Sequence, residues 1–228
     1  SLPTMASHDG ACDNNAVTFQ ELEQKVLSLF EKARSLPLSL SRDDGNIEVR
    51  TNWDGQNIVS VAEAKIIGRP PSEFRGFFEN FNDAFAKNGN MVKEICHLEH
   101  EKSREGIKAI LQFPAPISDR IMIHWKYLEL DRRPNEHMLI LSEEGNGGLL
   151  DKHLSAEEKQ KYVLGRTFLC TYWVSPVSDA QGNVVGSNIK YVYSGDVGGL
   201  IPAQVQKWIG PKNALNSLEI LIGFSENS

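Results

Sequence analysis

Between Thr18 and Leu36 the apolar residues Leu22, Val26, Leu29, Phe30 and Ala33 recur at helical spacing. That period predicts an amphipathic helix with one buried stripe. Thr18 with Glu21 fits a capping box at its start. The stretch NIEVRTNWDGQNIVSVAEAKII (46–67) reads instead as two strands around the turn Asp54-Gly55. RPPSEFRGFFENFNDAFAKNG (69–89) follows, with Ser72 as cap and Gly89 as stop. It places Phe74, Phe77, Phe78, Phe81 and Phe85 on one broad helical face. Strand patterns then dominate at 91–99, 105–113, 117–130, 136–143, 166–176 and 184–194. Turn chemistry marks Arg104-Glu105-Gly106, Arg133-Pro134-Asn135 and Gln181-Gly182-Asn183. The last pattern is a helix opened by Pro202 after Asp196-Val197-Gly198-Gly199. It presents Val205, Ile209, Leu215, Leu218, Leu221 and Ile222 on a roughly common side, and Gly210-Pro211 predicts a kink or break. Short intervals between strands favour antiparallel pairing. The expected class is α+β, with helices packed on one long curved sheet.

Composition narrows the function classes. At 228 residues with 40% apolar content the chain can build a sizeable core, and no apolar run is long enough to span a membrane. A net charge of −6 argues against nucleic acid as a partner and against simple electrostatic capture by anionic lipid. Cys12, Cys96 and Cys170 form no CxxC pair and read as free thiols of a reducing compartment. The start of the chain lacks the features of a secretory signal, so a cytoplasmic monomer is expected. Residues 1–16 are polar and expected to be disordered, with one domain over 17–228. Neither a nucleophile elbow, nor HExxH, nor a phosphate loop is present. His97, His100, His124 and His137 are scattered on strands with no carboxylate at a telling spacing. No enzyme, metal or cofactor is therefore expected.

Three stretches carry a likeness. FPAPISDR (113–120), YVLGRTFL (162–169) and GDVGGLIPAQVQKW (195–208) resemble, in order and spacing, stretches of the START domain family of lipid-transfer proteins. The likeness runs from about Val17 to Phe224. It implies a helix-grip fold: a curved antiparallel sheet around a lipid tunnel, with the C-terminal helix as lid. It also implies an activity, the holding of one lipid (phospholipid, sterol or ceramide-like) and its carriage between membranes through transient contact with their surfaces. Carriage requires shape, apolar lining, a gate and a few polar groups, and no acid–base pair.

Strand alternation divides RIMIHWKYL (120–128) into two sets. By polarity alone Ile121, Ile123, Trp125 and Tyr127 look like core. The resemblance implies that Met122, His124 and Lys126 face the cavity. Both hold if helices cover the outer face of the sheet. Ala109 and Leu111 extend the apolar lining, with Ile107 and Phe113. One parity on the strand at 166–176 gives Phe168, Cys170 and Tyr172. Tyr191 and Tyr193 share a face and read more as packing than as ligand contact. From the lid, Val205, Ile209 and Leu218 are expected to touch the cargo.

This chain departs from the family pattern at several places. Ile121 follows Arg120 where relatives carry an acid. Ala109, Met122 and Cys170 stand where carriers of choline phospholipids have an aromatic cage. Asn82 lies where their phosphate-binding arginine would fall. Lys126 could instead meet a phosphate or carboxylate, and His124 a hydroxyl. The segment EEGNGGLLDKHLSAEEKQKYVLG (143–165) is longer than the usual gate loop and has a capping box at Ser155 and Glu158. It reads as a glycine-hinged flap, with Leu149, Leu150 and Leu154 touching a membrane or plugging the mouth, or else as a surface insertion. Gly198 and Gly199 would hinge the lid. A lipid-sensing regulatory module remains the alternative to a carrier, since both need the same pocket, and a helix-grip enzyme is a more distant one.

Overall fold

Residues 17–42, 46–54, 57–88, 91–101, 103–145 and 148–224 are described by the computed structural model. The segment expected to be disordered, the turn residue Gly55 and the helix stop Gly89 lie outside the described residues. The first helix, α1 (Phe19–Arg34), forms as its period predicts: Leu22, Val26, Phe30 and Ala33 are buried, and the Thr18–Glu21 capping box is closed. Three strands follow, β1 (Leu38–Arg42), β2 (Ile47–Asp54) and β3 (Asn57–Ile67). The exposed β1 has no sequence pattern beyond five residues and escapes the reading above.

The phenylalanine-rich helix is not continuous. It is a single-turn segment, Pro71–Phe74, then α2 (Arg75–Glu79) and α3 (Phe81–Asn88). The break falls at Asn80, whose backbone leaves the helical region and whose side chain caps the Gly76 carbonyl at 2.9 Å. All five predicted rings are nevertheless buried, because the break turns the chain without changing the face it presents.

Next come β4 (Val92–Glu101), β5 (Arg104–Leu111), β6 (Arg120–Glu129) and β7 (His137–Ser142). The turn expected at Arg104-Glu105-Gly106 is corrected, since these residues already pair with β4 and reversal occurs before them. The crossover holds α4 (Leu149–His153), α5 (Ala156–Lys161) and β8 (Val163–Leu164). Then β9 (Arg166–Ser178) and β10 (Val184–Asp196) form a long hairpin, and α6 (Ala203–Phe224) closes the description.

The sheet order is β1-β2-β3-β10-β9-β7-β6-β5-β4, antiparallel throughout, with β8 added in parallel to β6. Residues of β2 and of β5, far apart in that order, join one apolar cluster with α2, α3 and α6, so the sheet curls around those helices. A second cluster lies on the outer face beneath α1 and α4. Both faces of β6 are thus buried. Ile121, Ile123, Trp125 and Tyr127 pack outward against α1 and α4, while Met122 and His124 point inward. The outward set packs as polarity predicts, and of the inward set Met122 and His124 line the cavity whereas Lys126 does not.

The last helix, α6, is continuous over 22 residues with Pro211 inside it, so of the kink or break expected at Gly210-Pro211 the break is corrected. Gly210 has another role. A Cβ there would lie 2.7 Å from Thr51 Cγ2 and 2.8 Å from Trp53 Nε1. Only a bare backbone lets α6 come this close to β2.

Candidate ligand-binding cavity

Between the curled sheet and α6 lies a cavity of about 100 Å³. Its apolar wall comes from Ile107, Ala109 and Leu111 on β5, Met122 on β6, Leu141 on β7, and Phe81 and Phe85 on α3. Its polar wall is His124, Thr167, Cys170, Tyr172, Tyr191 and Tyr193, faced by Asn213, Asn216 and Ser217 of α6. A wider cleft of about 340 Å³ adjoins it under the first half of α6, bordered by Phe113, Pro114, Trp208, Ile209 and Lys212. Met91, Asn213 and Asn216 line both spaces, so these side chains partition the cleft from the cavity.

His124 is the chemical feature of the inner wall. It is 4% exposed, and neither ring nitrogen meets a hydrogen-bond partner among the described residues. Burial pushes its pKa down to about 4, so the ring is neutral at ordinary pH. On the same wall, the Tyr193 hydroxyl is buried without a partner at hydrogen-bond distance and angle, although Thr167 is its neighbour. Burial likewise raises the Cys170 thiol to about 12, against the hydroxyls of Tyr191 and Tyr172, which makes it an inert small apolar group.

Lys126 is occupied. It forms an ion pair with Glu105, its partner across the β5–β6 register. Glu105 also accepts from Asn82 Nδ2 at 3.1 Å and lies 2.9 Å from His97 Nδ1. Burial alone would raise the Glu105 pKa, but Lys126, His97 and Asn82 together hold it below the usual carboxylate value. The position noted for its missing arginine thus belongs to a closed network, and Lys126 is not among the cavity walls.

Arg120 is buried too, and among the described residues no carboxylate pairs with it, although Asp119 lies next to it in the chain. Its Nε and Nη2 donate to the carbonyls of Val197 and Gly198, each at 2.9 Å, and Nη1 donates to Ser118. The guanidinium lies 4.7 Å from the centre of the Phe113 ring. The carbonyls of Val197 and Gly198 satisfy this guanidinium. Gly198 itself has φ +69°, and a Cβ there would come within 2.2 Å of the Leu164 carbonyl oxygen. Gly198 and Gly199 form a clamped joint beside the cavity, outside its walls.

The other residues sort as follows. Ala109, Leu111, Met122, His124, Cys170 and Tyr172 line the cavity, and Ile209 lines the cleft. Val205 packs in a small cluster with Ile58, Phe113 and Val197, and Leu218 is fully buried in the main core. Phe168 is corrected: it faces outward, in a groove beside α1. The pairing slips there, because Ser194 faces Leu169 while Gly195 faces Thr167, leaving Phe168 as the extra residue of a β-bulge. Thr167 takes the inner place. Leu149, Leu150 and Leu154 are corrected as well, since they pack on the outer cluster with Ile110 and Ile121. A Cβ on Gly106 would lie 3.0 Å from Leu149 Cδ1, so α4 seats tightly on the back of the sheet, away from the mouth. The sequence reading missed Asn213, Asn216 and Ser217, although polar residues three and four apart in an otherwise apolar helix are a legible signal.

No protein-family model matches the sequence, and no curated protein is significantly similar to it. Solved structures do match in fold. Human STARD10 superposes with a TM-score of 0.67 over 92% of this chain and 82% of its own, at 12% identity. Human StAR-related lipid transfer protein 5 gives 0.64 over 91% and 94%, at 11% identity. A STAR-related lipid transfer protein fragment from Xanthomonas axonopodis gives 0.59 over 83% and 99%, at 15% identity. The chain therefore has a START-like helix-grip fold, and at these identities the likeness is one of fold.

Proposed function

We propose that this protein holds one lipid beneath α6 and carries it between membranes. The observation that supports the reading best is the cavity itself, with one apolar wall and one polar wall that holds a buried histidine with two unpartnered nitrogens. Such a group costs free energy in a chain folded around nothing, and a polar ligand end would recover it. The fold neighbours, two of them named as lipid transfer proteins, point the same way.

Carriage removes a large barrier. Withdrawing about 30 methylenes into water costs on the order of 24 kcal/mol at about 0.8 per methylene. Through transition-state arithmetic, this amounts to roughly a day per unaided escape. A dry chamber replaces water as the destination. At about 100 Å³ the cavity is smaller than a whole amphiphile, so loading entails outward movement of α6 and of the partition formed by Met91, Asn213 and Asn216.

The rim of the cleft fits a membrane surface. Leu200 is 92% exposed and Trp208 55% exposed, and Lys212 Nζ lies 4.4 Å from the centre of the Trp208 ring. An aromatic ring with a cation beside it suits the boundary between headgroups and acyl chains. In this reading the carrier touches membranes transiently; no helix among the described residues is long and apolar enough to cross one.

Native mass spectrometry of the protein purified from cells, followed by lipid extraction, tests holding: a chemically unchanged lipid at one per chain is expected. Vesicle-to-vesicle transfer of labelled lipids tests carriage. Trp208→Ala should slow transfer severalfold while leaving the bound load intact. Lipid-free preparations that move no label would end the reading.

A further inference from the structure

We infer that the ligand is an uncharged lipid whose polar end carries a hydroxyl or carbonyl group, bound with that end inward against His124. This rests on the lipid-holding reading above and narrows it to a chemical class.

The charges on the inner face are already spent. Lys126 is paired with Glu105, and Arg120 donates to hinge carbonyls. Among the described residues, the cavity wall contains no carboxylate, lysine or arginine. A phosphate or carboxylate entering it would be buried without a counter-charge, at several kcal/mol of desolvation. The rings on the wall, Phe81, Phe85, Tyr172, Tyr191 and Tyr193, can face a quaternary ammonium, but the phosphate that accompanies it in a choline phospholipid would still lack a cation there.

The wall does offer neutral hydrogen bonds. With its pKa at about 4, His124 presents one donor and one acceptor nitrogen. A hydroxyl can engage either, and a carbonyl can engage the donor. The Tyr193 hydroxyl, also buried and unpartnered in geometry, is placed on the same wall. Orientation follows from position. His124 lines the inner cavity and does not border the cleft, so only an inward polar end reaches it. A tail-inward pose would leave both nitrogens facing methylenes. Cationic Lys212 stands at the cleft, where a charged headgroup in that opposite pose would sit.

The test is competition binding to the wild-type chain at pH 7.4, with cholesterol, 1-oleoylglycerol, oleate, dioleoylphosphatidate and dioleoylphosphatidylcholine as probes. At least one of the two neutral probes should bind about tenfold or more tighter than each charged probe. His124→Phe should weaken the neutral probe about tenfold, the worth of one hydrogen bond to a buried group. His124→Gln, which keeps a donor and an acceptor, should recover part of it. Equal or tighter binding of oleate, phosphatidate or phosphatidylcholine would overturn the inference while leaving lipid holding intact, as would unchanged neutral-probe affinity in both variants. Binding of no probe, together with lipid-free native spectra, would overturn the lipid reading itself. Should the phenylalanine variant fail to fold, the wild-type ranking and the glutamine variant still decide.

Discussion

His124 couples the cavity to stability as well as to ligand. Its folded-state pKa of about 4 lies below the unfolded value near 6.5, so the unfolded chain binds more protons between those limits. Stability is unaffected by this group above about pH 6.5, falls as pH drops toward 4, and levels off below. The shift corresponds to on the order of 3 kcal/mol for a fully buried ring. Urea unfolding at pH 7 and pH 4 should show His124→Gln losing less stability on acidification than wild type; parallel losses would remove His124 as the source. Lys126 and Glu105 behave differently, because each neutralises the other. Lys126→Met leaves the partly buried Glu105 carboxylate with only Asn82 and His97 beside it and should cost about 1–3 kcal/mol, as should Glu105→Gln. The double variant should lie closer to wild type than the sum of the singles, and simple additivity in that cycle would count against the pair. A change of lipid preference in Lys126→Met is not expected, since the amine does not reach the cavity.

Elements owe their places to close contacts that a single residue permits or shifts. One bulge in β9 hands the inner position from Phe168 to Thr167. Bare backbone at Gly106 lets α4 settle on the outer sheet, and Lys108 Nζ to Glu158 Oε1 at 2.6 Å ties α5 beside it. Leu149, 1% exposed, is then core. Leu149→Ala should lower stability by about 2–5 kcal/mol. Lipid bound per folded molecule should stay unchanged, measured by urea titration and extraction on the same preparation. A loss of loading without a loss of stability would restore α4 as a gate.

The molecule as a whole is a sheet covered on both faces with unequal firmness. On the outer face α1 and α4 seal an apolar cluster, and the Glu23–Arg132 ion pair at 2.5 Å anchors α1 to the turn between β6 and β7. On the inner face α6 is sunk in the core at its C-terminal half, where Leu215, Leu218 and Leu221 are buried, and borders the open cleft at its N-terminal half. Motion on loading should therefore concentrate in residues 203–216 and in Met91. Hydrogen exchange should report faster exchange there than in β9 and β10 of the lipid-free protein, and slowing on loading. Uniform protection along α6 in both states would contradict an opening lid.

Sequence alone settled what depends on local period and chain chemistry. The α1 stripe, the six strand patterns after residue 90, both capping boxes and the α+β class follow from spacing that any compact fold must bury. The inward set on β5 and β6 followed from parity together with the family likeness. Only the tertiary structure decided matters between distant segments. It set the face of Phe168, the pairing of Lys126, the back-side seat of Leu149 and the polar contribution of α6. Alternation assigns side chains to two faces, but a bulge shifts the count, and which face meets which partner is fixed only when strands from across the chain are brought together.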